Sequence, residues 1–226
     1  MSNIRVAVIS FLIILALSSG CELLSPAVRS DFADHQSALR VRTGKSIDLA
    51  RINSLAVYPA IINREIGGSP VLQSEIDSLL NRYVQSELDV EVHPVKNNFK
   101  SKRLVTDLEI SEHAVAYAES LNADSVLIIN LNRYREKSGS RLAADRGAIV
   151  SFNLRILSVP EAKVLWDSSF FEEQKPLSED LGRASAGNRS GGVVTEWKSA
   201  RELLEQGLKE TLSALAKARL EAFEAR

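Results

Sequence analysis

The chain has 226 residues, with 28 basic against 29 acidic side chains and a single cysteine. A length of this order builds one hydrophobic core and one domain. The near-neutral balance excludes a general attraction to nucleic acid or to anionic lipid, and one cysteine excludes an internal disulfide.

The N-terminus sets the cellular address. Residues 6–17 (VAVISFLIILAL) are apolar except for Ser10; they follow Arg5 and lead into Ser18, Ser19 and Gly20. A short basic head, an apolar stretch of about 7–15 residues and small residues before a cleavage point make a secretory signal. A membrane-spanning helix needs about 20 apolar residues, so this run is too short to span. Leu17-Ser18-Ser19-Gly20-Cys21 resembles a bacterial lipobox. The resemblance implies a diacylglycerol on the Cys21 thiol, cleavage before it by signal peptidase II, and acylation of the new α-amino group. Ser18 departs from the Leu, Val or Ile usual at its place. One acyl chain binds a membrane only reversibly, at about 0.8 kcal/mol per buried CH₂; three chains on Cys21 make the anchor permanent. Glu22 follows, where Asp favours inner-membrane retention in the lipoproteins this resembles. The implied address is the outer membrane, with the body on its periplasmic side.

Residues 21–51 are irregular and mixed in charge and read as an acylated tether, with a short helical turn over 34–41. Within it, Thr43-Gly44-Lys45-Ser46 imitates a phosphate-binding loop, but Leu39 stands where that motif needs glycine. A polar turn is the better reading. The folded body is expected from residue 52. Residues 52–62 (INSLAVYPAII) make a buried strand ended by Asn63 and Gly67-Gly68. Ser69-Pro70 opens a helix, since a capping hydroxyl precedes a proline in the first turn. Leu72, Ile76, Leu79, Leu80, Tyr83 and Val84 then recur at helical spacing. Residues 89–95 (DVEVHPV) alternate as a short strand, and residues 96–103 (KNNFKSKR) form a basic loop. A second helix over 111–121 closes on Asn122, which tolerates the left-handed conformation of a helix cap. Residues 125–131 (SVLIINL) are apolar on both faces and make a central strand.

Residues 148–157 and 164–174 pair as a hairpin around the turn SVPEAK. Four glycines and several serines in 175–198 predict a mobile loop. Ser199 and Glu202 form a capping box for a last helix over 199–224, whose end (AKARLEAFEAR) is charged enough to project into solvent. The order strand–helix–strand–helix–strand–strand–strand–helix predicts the α/β class: a two-layer sandwich of about five strands in a mixed sheet, helices on one face. Residues 52–226 are expected to form one domain.

This order, with Leu55–Pro59, Ala123-Asp124 leading into 126–129, and Val164–Trp166, is similar to a group of bacterial envelope proteins. The group comprises the curli-secretion lipoproteins, the peptidoglycan-synthase-activating outer-membrane lipoproteins and the N-terminal domain of the Tol-system propeller protein. Curli secretion uses membrane-inserted β-hairpins; here the longest excursion, residues 132–147, is charged throughout and is unsuited to a pore.

No catalytic constellation stands out. His35, His93 and His113 are far apart in sequence, and Glu109 and His113 make the nearest approach to a metal pair, whereas zinc takes three or four ligands. No G-x-S-x-G elbow occurs, and Gly187–Gly191 reads as linker. Glu172-Glu173 and Glu179-Asp180 are neighbours that point to opposite faces of a strand and read as solubility and edge protection. Lys96, Lys100, Lys102 and Arg103 read as a solvated loop with potential for a contact, Trp166 as core, and Trp197 as a contact residue or a staple beside the last helix. The reading is therefore a non-catalytic binding or assembly module with no cofactor, no metal and no nucleic acid, held to the membrane through Cys21 and serving a periplasmic or outer-membrane protein partner. An accessory of an outer-membrane export machine is the alternative, and a cell-wall-modifying enzyme the weaker third.

Overall fold

The computed structural model describes residues 38–43, 46–67, 70–95, 106–139, 144–174 and 197–225. They belong to one compact unit. In chain order the elements are β1 (Ala38–Thr43), α1 (Ser46–Leu49), β2 (Ser54–Val57), β3 (Ile61–Ile62), a 3₁₀ turn (Arg64–Ile66), α2 (Pro70–Glu87), β4 (Glu91–His93) and α3 (Asp107–Glu119). Then come β5 (Ser125–Arg135), β6 (Ser138–Gly139), β7 (Ala144–Arg146), β8 (Ile149–Ser158), β9 (Val164–Glu173) and α4 (Ala200–Glu224).

The main sheet has seven strands in the order β1-β9-β8-β5-β2-β4, with β3 added beside β5. It is mixed, as the sequence predicts: β2 runs parallel to β4 and β5, while β5, β8, β9 and β1 are antiparallel in turn. Two strands more than expected arise at Pro59, which interrupts the ladder between β2 and β3, and at β1. The latter is a correction. Residues 38–43 pair with β9, with Ala38 opposite Phe171 and Thr43 opposite Trp166, where a tether and a helical turn were expected. An isolated six-residue segment has too little alternation to reveal an edge strand until its partner is known.

The helices occupy both faces, not one. Leu55, Val57, Leu127, Ile129, Phe152, Leu154 and Trp166 face α2 and α4 in the larger core. Ala56, Tyr58, Val126, Ile128 and Leu157 face the other way, against Ile110, Ala114, Val115 and Ala118 of α3. The reason is topological. The chain steps outward from β2 to β4 through α2, then returns past β2 to β5 through α3. Parallel crossovers are right-handed in about 98% of cases, so reversing the direction of travel moves the helix to the opposite face.

Local chemistry agrees with these elements. Both α3 and α4 open on capping boxes, Thr106 with Glu109 and Ser199 with Glu202. Asn122 is left-handed at φ 57°, and the bonds from Asn122 N–H to the Glu119 carbonyl and from Ala123 N–H to the Ala118 carbonyl, 3.0 and 3.1 Å, complete a Schellman ending. α4 lies beside α2 in the same direction, since Arg201 meets Glu75 and Ser213 meets Glu87. It approaches the sheet closely at Gly207. A Cβ there would stand 2.6 Å from the Phe170 ring and 2.9 Å from that of Phe152, two rings stacked with centroids 5.2 Å apart. Trp166 is fully buried, as expected.

Two side-chain placements correct the sequence reading. Glu172 is buried on the core face, so it is not a solubilising surface residue. The end of α4 does not simply project: Arg219 and Ala222 are buried while Leu220 and Phe223 are exposed. Residues 1–37, 96–105 and 175–196, which hold Cys21, His35, the basic loop, Glu179-Asp180 and Gly187–Gly191, lie outside the described residues.

Candidate functional site

One end of the sheet gathers the starts of β2, β5 and β9, the end of β8 and the helix α1. Between them lies a cleft of about 440 Å³ lined by Asp48, Arg51, Asp124, Ser158, Glu161 and Lys163, among others. Asp124 organises it. Its Oδ2 accepts the N–H groups of Asn53 (2.8 Å) and Ser54 (3.2 Å), its own N–H donates to Ser54 Oγ (2.9 Å), and its carbonyl accepts Val159 N–H (2.9 Å). Asp124 thereby holds the start of β2 through its carboxylate and the turn between β8 and β9 through its backbone carbonyl. Asp124 Oδ1 is buried without a hydrogen-bond partner among the described residues. Across the cleft Lys163 pairs with Asp48, and Lys163 N–H donates to Ser158 Oγ at 3.2 Å.

Behind this cleft sits Arg219 of α4, 7% exposed. Its guanidinium donates to the carbonyls of Ile52 (3.0 Å), Leu49 (3.4 Å) and Asp89 (3.4 Å) and lies 5.7 Å from the centroid of the Phe223 ring. Burial pulls its pKa below the ordinary arginine value, with Asp89 and Asp124 acting in the opposite direction. The sequence held a signal for it: Leu208, Leu212, Leu215, Arg219 and Ala222 are in phase on one helical stripe, so the arginine stands at a core position. At the other end of α4, burial together with the carboxylates of Glu75 and Glu136 pushes the Tyr134 phenol up to about 12. Burial also raises Asp77, against the lowering effect of the Ala60 N–H that its carboxylate accepts at 2.7 Å.

The structure distributes the sequence candidates rather than assembling them. His93 is on the edge strand β4 with Nε2 3.8 Å from Glu91 Oε1. Glu109 accepts Thr106 N–H at 3.0 Å, a capping role, and His113 lies half-buried one turn further along α3. Trp197 is half-buried, and its carbonyl accepts from Lys137 Nζ. Among the described residues no group of three or more His, Cys, Asp or Glu is placed to hold a metal ion, and no helix is long and apolar enough to cross a membrane. Asp124 and Lys163 both act on backbone and on neighbouring charges, so the cleft works as a clasp between strands.

These features define an open, mixed α/β sheet layered by helices on both faces. No family model and no curated protein sequence matches the chain. Among solved structures it is similar to PelC from Paraburkholderia phytofirmans, described as a dodecamer, at 17% identity and a TM-score of 0.50 over 80% of this chain and 97% of that one. It is also similar to the hypothetical protein CT253 from Chlamydia trachomatis, at 12% identity and a TM-score of 0.44 over 75% of this chain and 99% of that one. The lipoprotein GNA1162 from Neisseria meningitidis matches at 21% identity and a TM-score of 0.37 over 62% of this chain and 99% of that one. The PelC likeness establishes the fold alone.

Proposed function

We propose that this chain is a lipid-anchored bacterial envelope protein that works as a non-catalytic binding or assembly module on the periplasmic side of the outer membrane. The observation that carries the reading is Leu17-Ser18-Ser19-Gly20-Cys21 directly after a short apolar run. The absence of a second cysteine in the sequence supports it, because acylation gives a lone exported thiol a purpose. The similarity of the strand and helix order to envelope lipoproteins points the same way. The module role is supported by the cleft, in which backbone N–H groups take one oxygen of the leading carboxylate, Asp124 Oδ2.

Mass spectrometry of the membrane-extracted protein is expected to find a chain beginning at Cys21 with diacylglyceryl and N-acyl mass added. Cys21→Ser is expected to abolish that mass and leave the precursor unprocessed. An unmodified thiol still joined to Gly20 would remove the anchor and the compartment inferred from it.

A second reading, accessory component of an outer-membrane export machine, is favoured by the shared fold with a protein that forms a dodecamer. It predicts a closed ring, and sedimentation of the detergent-solubilised protein at the mass of a single chain would exclude it.

A further inference from the structure

The face of the sheet that carries α3 is covered only in part. α3 packs on β2, β5 and the end of β8, and no described element lies over the rest of β8, β9 and β1. Cross-strand register writes that surface out in rows. Asn130, Asn153, Ser169 and Arg40 stand side by side on β5, β8, β9 and β1. The next row is Arg133, Ser151 and Phe171, followed by Arg135, the buried Ile149 and Glu173, with Arg135 and Glu173 pairing at 3.8 Å. On the other side Arg155 meets Asp167 at 3.2 Å. Arg40, Arg133 and Asn153 are exposed, and Asn130, Ser151, Ser169 and Phe171 are half-buried.

Charge is segregated here. The chain as a whole carries a formal net charge of −1, yet these rows hold five arginine positions, Arg42 opposite Asp167 among them, against two carboxylates. Both carboxylates are taken by Arg135 and Arg155, and Arg40 and Arg133 have no ion-pair partner among the described residues. Like-signed groups left at opposite sides of a ladder of amides and hydroxyls favour an anionic ligand that also offers hydroxyls. The surface is an open sheet face and not a hole, so it suits a polymer. Neighbouring strands lie about 4.7–4.9 Å apart, close to the length of one sugar unit in an extended glycan. A chain laid across the strands can therefore meet one polar side chain per sugar. Guanidinium groups match carboxylates in a two-pronged geometry, and the Phe171 ring provides an apolar surface for the C–H side of a pyranose.

We infer that the uncovered face of β5, β8, β9 and β1 binds an acidic polysaccharide, with Arg40 and Arg133 taking its carboxylates and Asn130, Asn153, Ser151 and Ser169 its hydroxyls. The inference rests on the reading of the chain as a binding module, and its test separates the two. Loss of acylation leaves polymer binding untouched, and loss of polymer binding leaves the anchor untouched.

The experiment is native affinity electrophoresis of the full chain in non-ionic detergent, through gels containing polygalacturonate, dextran or poly-L-glutamate. Retardation is expected in polygalacturonate, none in uncharged dextran, and markedly less in poly-L-glutamate. Arg40→Glu and Arg133→Glu are each expected to weaken polygalacturonate binding about tenfold or more, the size of one charge-assisted bond. Asn153→Leu, which leaves the charge unaltered, is expected to weaken it severalfold. Circular dichroism is expected to show all three variants folded, since each site is at the surface. No retardation by polygalacturonate, equal retardation by poly-L-glutamate, or arginine variants that bind as the parent does would each overturn the inference. So would binding to phosphatidylglycerol vesicles that survives competition by excess polygalacturonate, because the face would then serve a lipid surface.

Discussion

Replacing Arg219 with alanine is expected to lower the unfolding free energy by about 2–4 kcal/mol, the range for leaving several buried acceptors unpaired. Three carbonyls, those of Leu49, Ile52 and Asp89, converge on this guanidinium from two loops. No water reaches them easily, because Arg219 is 7% exposed and is covered on one side by Phe223. Removing the side chain therefore costs the desolvation of the carbonyls as well as the hydrogen bonds. Lysine is not a substitute, since a single ammonium cannot fork between three oxygens on separate segments. In a urea titration the loss corresponds to a midpoint lower by about 1–2 M for an m-value near 2 kcal/mol/M. Arg201→Ala is the control. That side chain is paired with Glu75 and Glu205 at 3.1 Å each, but it lies at the surface, where ion pairs contribute little. A larger effect at Arg201 than at Arg219 would refute the buried three-carbonyl role of Arg219 at the end of α4.

Gly147→Ala is the second large effect, expected at about 3 kcal/mol, or a fall in Tm of roughly 6–12 °C for a domain of this size. Two contributions oppose each other here. Alanine restricts the unfolded chain and in an unconstrained site stabilises by about 0.4–1 kcal/mol. At Gly147, however, the added Cβ would fall 1.7 Å from the Gln174 carbonyl oxygen and 2.5 Å from its carbon. Those atoms are backbone and cannot rotate aside. The chain at the end of the β8–β9 pair must separate, and the bond from Gln174 N–H to the Ala148 carbonyl, now 3.0 Å, is the first to go. Steric conflict exceeds the entropic gain. Thermal unfolding followed by far-ultraviolet circular dichroism measures the outcome, and a variant melting within 2 °C of the parent, or above it, would show that the two segments are not in contact.

Much of the fold was legible in the chain because hydrophobic periodicity reports local burial. Residues 125–131 read as a central strand from their unbroken apolar run, and β5 lies between β8 and β2. Ser199 with Glu202 and the left-handed Asn122 could be assigned because capping depends on residues within a few positions. Arg219 was legible in phase but not in meaning: its place in the apolar stripe marks it as buried, while the three carbonyls that hold it come from residues 49, 52 and 89. Arg40 and Arg133 carried no sequence signal, since each is one charge among many until register sets them on one face.

The sequence by itself determined what short-range chemistry can encode: the apolar run of residues 6–17 ahead of Cys21, the helix starts, the turn between β8 and β9, and the alternation that splits each strand into two faces. Tertiary structure alone decided which strands are neighbours. From that order followed the placing of α3 opposite α2, the recruitment of Ala38–Thr43 as an edge strand beside β9, and the polar rows left uncovered beyond α3. Strand order is a long-range property, fixed by closing loops and by the handedness of crossovers, and no local pattern of residues carries it.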